Sequence, residues 1–418
     1  MSRLVVVSNR VCSPRSQGKA GGLAMAIKSA LGDCGGLWFG WSGQVRESPD
    51  TEPAVERSNL FSLATLDLSR REFNGYYTEF SNRTLWPLFH GRVDLCRTDR
   101  HAYDIYRQVN RRFAQALYAL LGPADMVWVQ DYHLIPLGQE LRHLGLMVPL
   151  GFFLHIPFPR SEEVAALPFR RELLSGLCAY DLVGFQTPTC ATNFRAAVGR
   201  YLGGAVRQDG TVASNGQTVD VEAFPVGIDT RAFMEMANSP DARRCSDQLR
   251  AAMRERVWLC SVDRLDYTKG IAEINGRFGT FDWTPIRYFD STFDQEQLAA
   301  LHRVSRVGLV TPLRDGMNLV AKEYVAAQDP GDPGILVLSR FAGAAQELTD
   351  AIIVNPGDTG AVARSLRCAL RMPQSERRAR WERMIRRLEH HDIKCWRQSF
   401  VDRLAARGSL SHPLVEAS

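Results

Sequence analysis

The sequence predicts an α/β fold resting on parallel sheets, and three observations predict it. Short, near-continuous apolar runs rich in β-branched residues recur along the chain, as in strands covered on both faces. Between them lie segments of helical periodicity, an alternation that builds parallel sheets. A length of 418 residues, 45% of them apolar and 23% charged, is ample for two or three domains, each with its own core.

The runs at 4–7, 126–129, 150–155 and 181–185 predict the strands of a first unit, and those at 257–262, 286–289, 307–310, 335–339 and 351–354 the strands of a second. Apolar residues at helical spacing predict helices over 102–121, 168–178, 188–201, 295–304, 319–327, 359–371 and 374–390. A shorter helix is predicted over 136–144, where Pro136 suits a first turn. A turn-rich hairpin over 208–218 and a polar stretch over 238–246 bracket a boundary near Pro225-Val226-Gly227-Ile228-Asp229. The expected domains are 1–228 and 229–385, with a C-terminal helix and tail over 386–418 crossing back to the first. Two facing α/β halves place a ligand cleft at the carboxyl ends of their strands.

Composition removes several classes of partner. With 51 basic and 46 acidic residues and no polybasic tail, nucleic acid is not expected. Glu376, Glu382 and Glu389 interleave the arginines of the last helical segment, which reads as a solvated face. No apolar run reaches the length of a membrane span, and the one near Met1 is short for a signal peptide. The nine cysteines include no CxxC pair and read as reduced thiols, so a cytoplasmic protein without membrane contact is expected. HxxxH and HExxH are absent, and no metal is expected.

Six constellations carry chemistry. Ser8-Asn9-Arg10 ends the first strand and precedes the glycine pair Gly21-Gly22, which is either a plain turn or an anion cradle at a helix start. Trp38-Phe39-Gly40-Trp41, Tyr76-Tyr77 and Leu85-Trp86-Pro87 read as loop aromatics, either a sugar-binding wall or a small aromatic core. Gln130-Asp131-Tyr132-His133 and His155-Ile156-Pro157-Phe158-Pro159 each close a strand, where α/β folds put site residues, or else each carries a buried histidine satisfied by backbone. Asp263-Arg264-Leu265-Asp266-Tyr267-Thr268-Lys269-Gly270 brings two cations to one turn, for a diphosphate or for its own carboxylates. Thr311 to Glu323 runs from a strand end through an Asp-Gly turn into a helix, so Asp315 and Glu323 either touch different hydroxyls of one nucleotide sugar or serve as cap and surface residue.

Taken together, LVVVSNR, AGGLA, GGLWFGWSG, FSNRTLWPLFH, VWVQDYHL, GFFLHIPFP, VDRLDYTKG, GLVTPLRDGMNLVAKEYVAAQ and FAGAAQEL resemble the trehalose-6-phosphate synthases through nearly the whole chain. These are retaining glycosyltransferases of GT-B architecture, two facing Rossmann-like domains around a cleft. The resemblance implies glucose transfer from UDP-glucose to glucose 6-phosphate, giving trehalose 6-phosphate and UDP, with no cofactor or metal, by a homo-oligomer of dimeric or tetrameric size. It implies that Arg10 binds the acceptor phosphate and that Tyr77, Trp86 and Asp131 line the acceptor sugar. Gly21 and Gly22 lie beside the donor diphosphate, which Arg264 and Lys269 neutralise. His155 and Asp315 hold the transferred glucose and Glu323 the ribose. Phe293 and the stretch Gly316, Met317, Asn318, Leu319, Val320, Ala321 and Lys322 complete the donor site, the backbone of Phe293, Leu319 and Val320 receiving base and phosphate. The catalytic set is Asp131, His155, Arg264, Lys269 and Asp315.

One departure from the family pattern stands out. After the VDRLDYTKG loop the family continues through a helix, a strand and a loop, whereas this chain passes from Ala272-Glu273 to Ile274-Asn275-Gly276-Arg277. One βα unit of the second domain is thus expected to be absent. No helix is expected between 270 and 285, and the strand at 286–289 is expected either to pair directly with that at 257–262 or to leave a gap. The family's second acceptor-phosphate arginine sits in that unit, with Arg277 and Arg287 as candidate substitutes. A catalytically impaired binding relative, serving as sensor or partner subunit, and a same-fold transferase with another phosphorylated acceptor are the alternatives.

Overall fold

A computed structural model describes residues 3–11, 27, 31–32, 35–58, 61–214, 216–253, 256–262, 271–280, 283–289 and 293–411. Two sheets organise them. The first has ten strands: β1 (Arg3–Arg10), β2 (Leu37–Arg46), β3 (Ala54–Arg57), β4 (Ser62–Ser69), β5 (Asp125–Gln130), β6 (Leu150–Leu154), β7 (Leu182–Phe185), β8 (Ala205–Val206), β9 (Val212–Ser214) and β10 (Gln217–Ala223). Their order is β3-β4-β2-β1-β5-β6-β7-β10-β9-β8. The seven strands from β4 to β10 in that order run parallel, and the order reverses direction between β1 and β5. Arg10 and Asp131 stand at the carboxyl ends of that pair, where doubly wound sheets bind ligands. The hairpin expected over 208–218 is the antiparallel pair β9–β10.

The second sheet is β11 (Leu259–Cys260), β12 (Val307–Val310), β13 (Ile335–Ser339) and β14 (Ile352–Val354), in that order and all parallel. The two sheets are the cores of two facing Rossmann-like domains. Nine helices matter below: α1 (Arg100–Tyr118), α2 (Pro188–Leu202), α3 (Thr230–Ala237), α4 (Ile271–Phe278), α5 (Gln295–Val304), α6 (Leu319–Ala327), α7 (Thr359–Arg371), α8 (Gln374–His390) and α9 (Ile393–Ser411). Caps explain several of the starts. Asp99 accepts from the His101 and Ala102 N–H groups at α1, Thr187 from Cys190 at α2, and Asp294 from Gln297 at α5.

Apolar burial joins the two domains. Phe39, Tyr76, Tyr106 and Phe113 fill one face of the first sheet beneath α1. On its other face Val6, Trp128 and Phe153 belong to the same buried cluster as Tyr324, Leu336 and Leu338 of the second domain. The C-terminal α9 crosses back, stacking Phe400 on Trp128 at 4.7 Å and setting Trp396 against the same ring at 4.8 Å. Arg403 pairs with Asp220 at 3.0 Å and Glu222 at 2.7 Å, and Arg407 also pairs with Asp220.

Three expectations are corrected here. Trp38-Phe39-Gly40-Trp41 is not a loop but part of strand β2, with Trp38 and Phe39 fully buried because both faces of the sheet are covered. Tyr76-Tyr77 and Leu85 lie on a π-helix (Phe73–Leu85) that passes directly into a short α-helix (Trp86–Phe89), so these aromatics too are helical. The segment 286–289 is not a strand. Helix α4 occupies the stretch where none was expected, and Asn275 clasps Ile286 by accepting from its N–H at 2.9 Å and donating to its carbonyl at 2.8 Å. The 286–289 run does not pair directly with the 257–262 segment; β11 pairs with β12, Leu259 opposite Val307, and among the described residues no strand lies on its other side.

Candidate active site

The first wall of the cleft grows from β1, β2 and the π-helix. Arg10, exposed at the end of β1, holds its guanidinium carbon 5.8 Å from the centre of the Trp41 ring. Trp41 lies 5.8 Å from Tyr77, which in turn stacks on His133 at 5.8 Å and on Phe73 at 5.4 Å. The result is an exposed cation, a buried Trp41 ring and then the half-exposed rings of Tyr77 and Phe73, a surface suited to a phosphorylated sugar. Behind it, Tyr76 donates to Asn9 Oδ1 at 2.8 Å. Trp86 stacks on His90 at 3.9 Å, fixed by the His90 Nδ1 contact with its carbonyl at 2.8 Å.

Asp131 and His155 form the floor. Asp131 adopts a φ of 74°, a left-handed backbone uncommon outside glycine, and its N–H donates to Phe153 O at 2.8 Å. Its carboxylate accepts from the His155 N–H at 3.3 Å. His155, immediately after β6, is desolvated by the atoms packed around it, which pushes its pKa down to about 3 and keeps the ring neutral. His133 is held at about 3 by burial as well, and neither of its ring nitrogens has a hydrogen-bond partner among the described residues.

The second wall is the loop between β12 and α6. Asp315 Oδ1 accepts from Met317 N–H at 3.2 Å and Oδ2 from the Asn318 side chain at 3.1 Å. Asn318, with φ 73°, caps α6 by accepting from Ala321 N–H at 3.0 Å. A free helix start thus faces the cleft beside a held carboxylate. Leu319 and Val320 are partly exposed in its first turn, while Met317 and Ala321 are buried. Glu323, one turn on, has its pKa raised by burial. Phe293 stands edge-on to Phe289 at 5.9 Å.

Gly316 closes the two walls together. A Cβ built there would come within 2.1 Å of His155 O, so only glycine permits this approach between the domains. Beside it Arg314 donates to both Glu163 carboxylate oxygens at 3.0 Å and to Phe158 O at 3.4 Å. Burial works to raise the Glu163 carboxyl, but the Arg160 backbone N–H and the Arg314 guanidinium bring it below its ordinary value.

The chain belongs to glycosyltransferase family 20. The family model matches residues 6–273 and 271–406, in two stretches that meet at 271–273. The trehalose-6-phosphate synthase of Klebsiella pneumoniae subsp. pneumoniae is 42% identical over 453 positions, covering 97% of this chain and 95% of that one. Those positions outnumber the 418 residues of this chain, so the relative carries residues without counterparts here. Among solved structures, the α,α-trehalose-phosphate synthase (UDP-forming) of Burkholderia vietnamiensis superposes with a TM-score of 0.95 at 43% identity, covering 99% of each chain. The Burkholderia xenovorans enzyme in complex with glucose-6-phosphate gives 0.91 at 42% identity, covering 97% of this chain and all of that one.

The structure therefore brings Arg10, Tyr77, Asp131, His155, Asp315 and Gly316 around one cleft. Gly21, Gly22, Arg264 and Lys269 lie outside the described residues. One side chain departs from the expected set. Lys322 turns away from the cleft, donating to Val226 O at 2.7 Å and pairing with Glu347, because a fully buried ammonium needs acceptors that the interior supplies there. Gln130 and Trp41 belong to runs singled out in the sequence without a role of their own, whereas Gln186 lies outside every such run and is brought to the site by the fold. Among the described residues no helix is long and apolar enough to cross a membrane, and no group of three or more His, Cys, Asp or Glu stands ready for a metal.

Proposed function

We propose that this chain is a retaining glucosyltransferase that moves glucose from UDP-glucose to glucose 6-phosphate, yielding trehalose 6-phosphate and UDP. The observation that carries the reading is the meeting of Gly316 with His155 O, which sets the Asp315 loop of one domain against the Arg10–Trp41–Tyr77 wall of the other. The UDP-forming name of the Burkholderia vietnamiensis relative and the glucose-6-phosphate in that of Burkholderia xenovorans support the two substrates.

On this reading Arg10 grips the acceptor phosphate through paired, charge-assisted bonds, and Tyr77, Trp86 and Asp131 seat the acceptor ring. Asp315 and His155 hold the donor glucose, and Glu323 accepts from ribose hydroxyls. Arg264, Lys269, the Gly21-Gly22 pair and the start of α6 stabilise the departing diphosphate, while Phe293 and the backbone at 319–320 receive the base. The acceptor hydroxyl attacks the anomeric carbon on the face the diphosphate leaves, and its proton passes to the leaving phosphate oxygen. The protein contributes orientation and charge stabilisation. A homo-oligomer of dimeric or tetrameric size in the cytoplasm completes the reading, carried by family resemblance.

The second domain is read as shortened by one βα unit. The two-part family match, the longer alignment with the Klebsiella relative, and the two-residue strand β11 support this. The unit takes an acceptor-phosphate arginine with it, so acceptor affinity is expected to be about tenfold to a hundredfold lower than with a complete clamp. UDP release from UDP-glucose is measured with and without glucose 6-phosphate, and the product is identified by mass. Acceptor-dependent release with a high acceptor KM is expected. UDP-glucose binding without release would sink the catalytic reading, and near-normal kcat in Arg264→Ala would remove that residue from leaving-group stabilisation.

A further inference from the structure

Both ring nitrogens of His155 face side-chain amides. Nε2 lies 2.9 Å from Gln130 Oε1, and Nδ1 lies 3.5 Å from Gln186 Nε2. The rotation of the Gln186 amide is dictated from outside: its Oε1 accepts from the Val226 N–H at 3.0 Å, and a backbone N–H can only donate. The NH2 end of Gln186 is therefore the one turned toward the imidazole. A proton on Nδ1 would confront the amide hydrogens, so Nδ1 keeps its lone pair and Nε2 carries the proton, which Gln130 Oε1 accepts. Rotating Gln130 the other way would set the neutral ring between two donors, leaving its own proton without an acceptor.

Val226 is held at its other end too. It lies between β10 and α3, in the connection from the first domain to the second. Its carbonyl accepts from Lys322 Nζ at 2.7 Å, and the ammonium is paired in turn with Glu347. The connection is thus gripped through its N–H by Gln186 of the first domain and through the carbonyl of the same residue by Lys322 of the second. Trp396 of α9 stands edge-on to the His155 ring at 6.0 Å and limits its tilt.

We propose that Gln186 is a positioning residue: braced against the Val226 residue that Lys322 anchors, it holds His155 in the Nε2–H tautomer and fixes the ring at the donor site. The role given to His155 rests on the function proposed above; the tautomer does not. The test is 15N NMR of enzyme labelled in its nine histidines, with His155→Asn assigning the resonance. In the unaltered enzyme His155 is expected to show a protonated Nε2 and a pyridine-like Nδ1. In Gln186→Glu the carboxylate facing the ring can only accept, so the proton moves onto Nδ1. Donor kcat/KM is expected to fall about tenfold while acceptor KM holds. Gln186→Met, close in size and unable to hydrogen-bond, gives a mixture of tautomers and guards against a Glu variant that does not fold. A proton on Nδ1 in the unaltered enzyme, an unmoved tautomer in both variants, or a moved tautomer with unchanged donor kinetics would each overturn the assignment. An unaltered enzyme that releases no UDP would instead count against the proposed function, and the NMR result would still decide the tautomer.

Discussion

The ten-stranded sheet is sealed on both faces, by α1 on one side and by α9 with the second domain on the other, whereas the four-stranded sheet ends at two-residue β11. Val257 and Leu259 beside that edge are 56% and 41% exposed, and Phe278 and Phe289 nearby are 57% and 59% exposed. The central strands of the first sheet, β2, β1, β5, β6 and β7, gain ladder bonds and apolar cover together, while its end strands β3 and β8 are exposed. At β11 one flank has cover and pairing through β12, and the other has no strand partner among the described residues. On the function proposed above, acceptor recognition falls to the more fully packed half of the molecule, and the donor loops lie beside the well-built strands β12 to β14.

Equal truncations in the two regions should expose this contrast most strongly. Phe400→Ala removes a fully buried ring stacked on Trp128 and should cost about 3–5 kcal/mol in denaturant unfolding. Lys322→Met leaves Glu347 with an unpaired buried charge at the domain junction. About 3–5 kcal/mol is expected to be lost, with most of it restored by pairing the change with Glu347→Gln. If Lys322→Met were as stable as the unaltered chain, the two domains would not be clamped through Val226. Gly316→Ala forces apart the close backbone approach of the Asp315 loop to His155. Turnover should drop about a hundredfold, with little change in melting temperature.

Buried histidines, His133 and His155 in the first domain and His302 in the second, give a gentler probe. Burial pushes His133 down to about 3 and His302 to about 4, below the roughly 6.5 of an unfolded chain. Between those values the unfolded chain binds more protons, so stability is full above about pH 6.5 and falls on acidification toward pH 3–4. The slope approaches about 1.4 kcal/mol per pH unit for each histidine. Urea midpoints across this range should flatten by one histidine's share in His302→Gln. At the bottom of the scale, Phe289→Ala should shift stability by less than about 0.5 kcal/mol, since its ring is mostly in water. A loss as large as that of Phe400→Ala would mean that the flank is packed after all.

Much of the architecture was legible in the residues. The runs at 307–310 and 335–339 and the helical periods at 295–304, 319–327, 359–371 and 374–390 coincide with β12, β13, α5, α6, α7 and α8 end for end. Strands buried on both faces must be apolar throughout, and amphipathic helices must repeat at their turn, so local composition suffices. The strand-end polar groups Arg10, Asp131 and Asp315 were legible for a related reason: parallel sheets deliver their carboxyl ends to one edge. The aromatic run at 38–41 was opaque, because glycine interrupts it and nothing local says that β1 and β4 flank it.

By itself, then, the sequence determined which segments are apolar enough to be strands, where the helices begin, and which polar groups top the strands. Only the tertiary structure decided whether an apolar run found a neighbour. Ile286 to Phe289 has the composition of a strand and is not one, since ladder bonds come from a partner strand and none is offered there among the described residues. Tertiary contacts likewise turned Lys322 inward to Val226 and Glu347, and aligned Gln186 with His155. Each of those choices depends on an acceptor or donor far away in the chain, which no local pattern encodes.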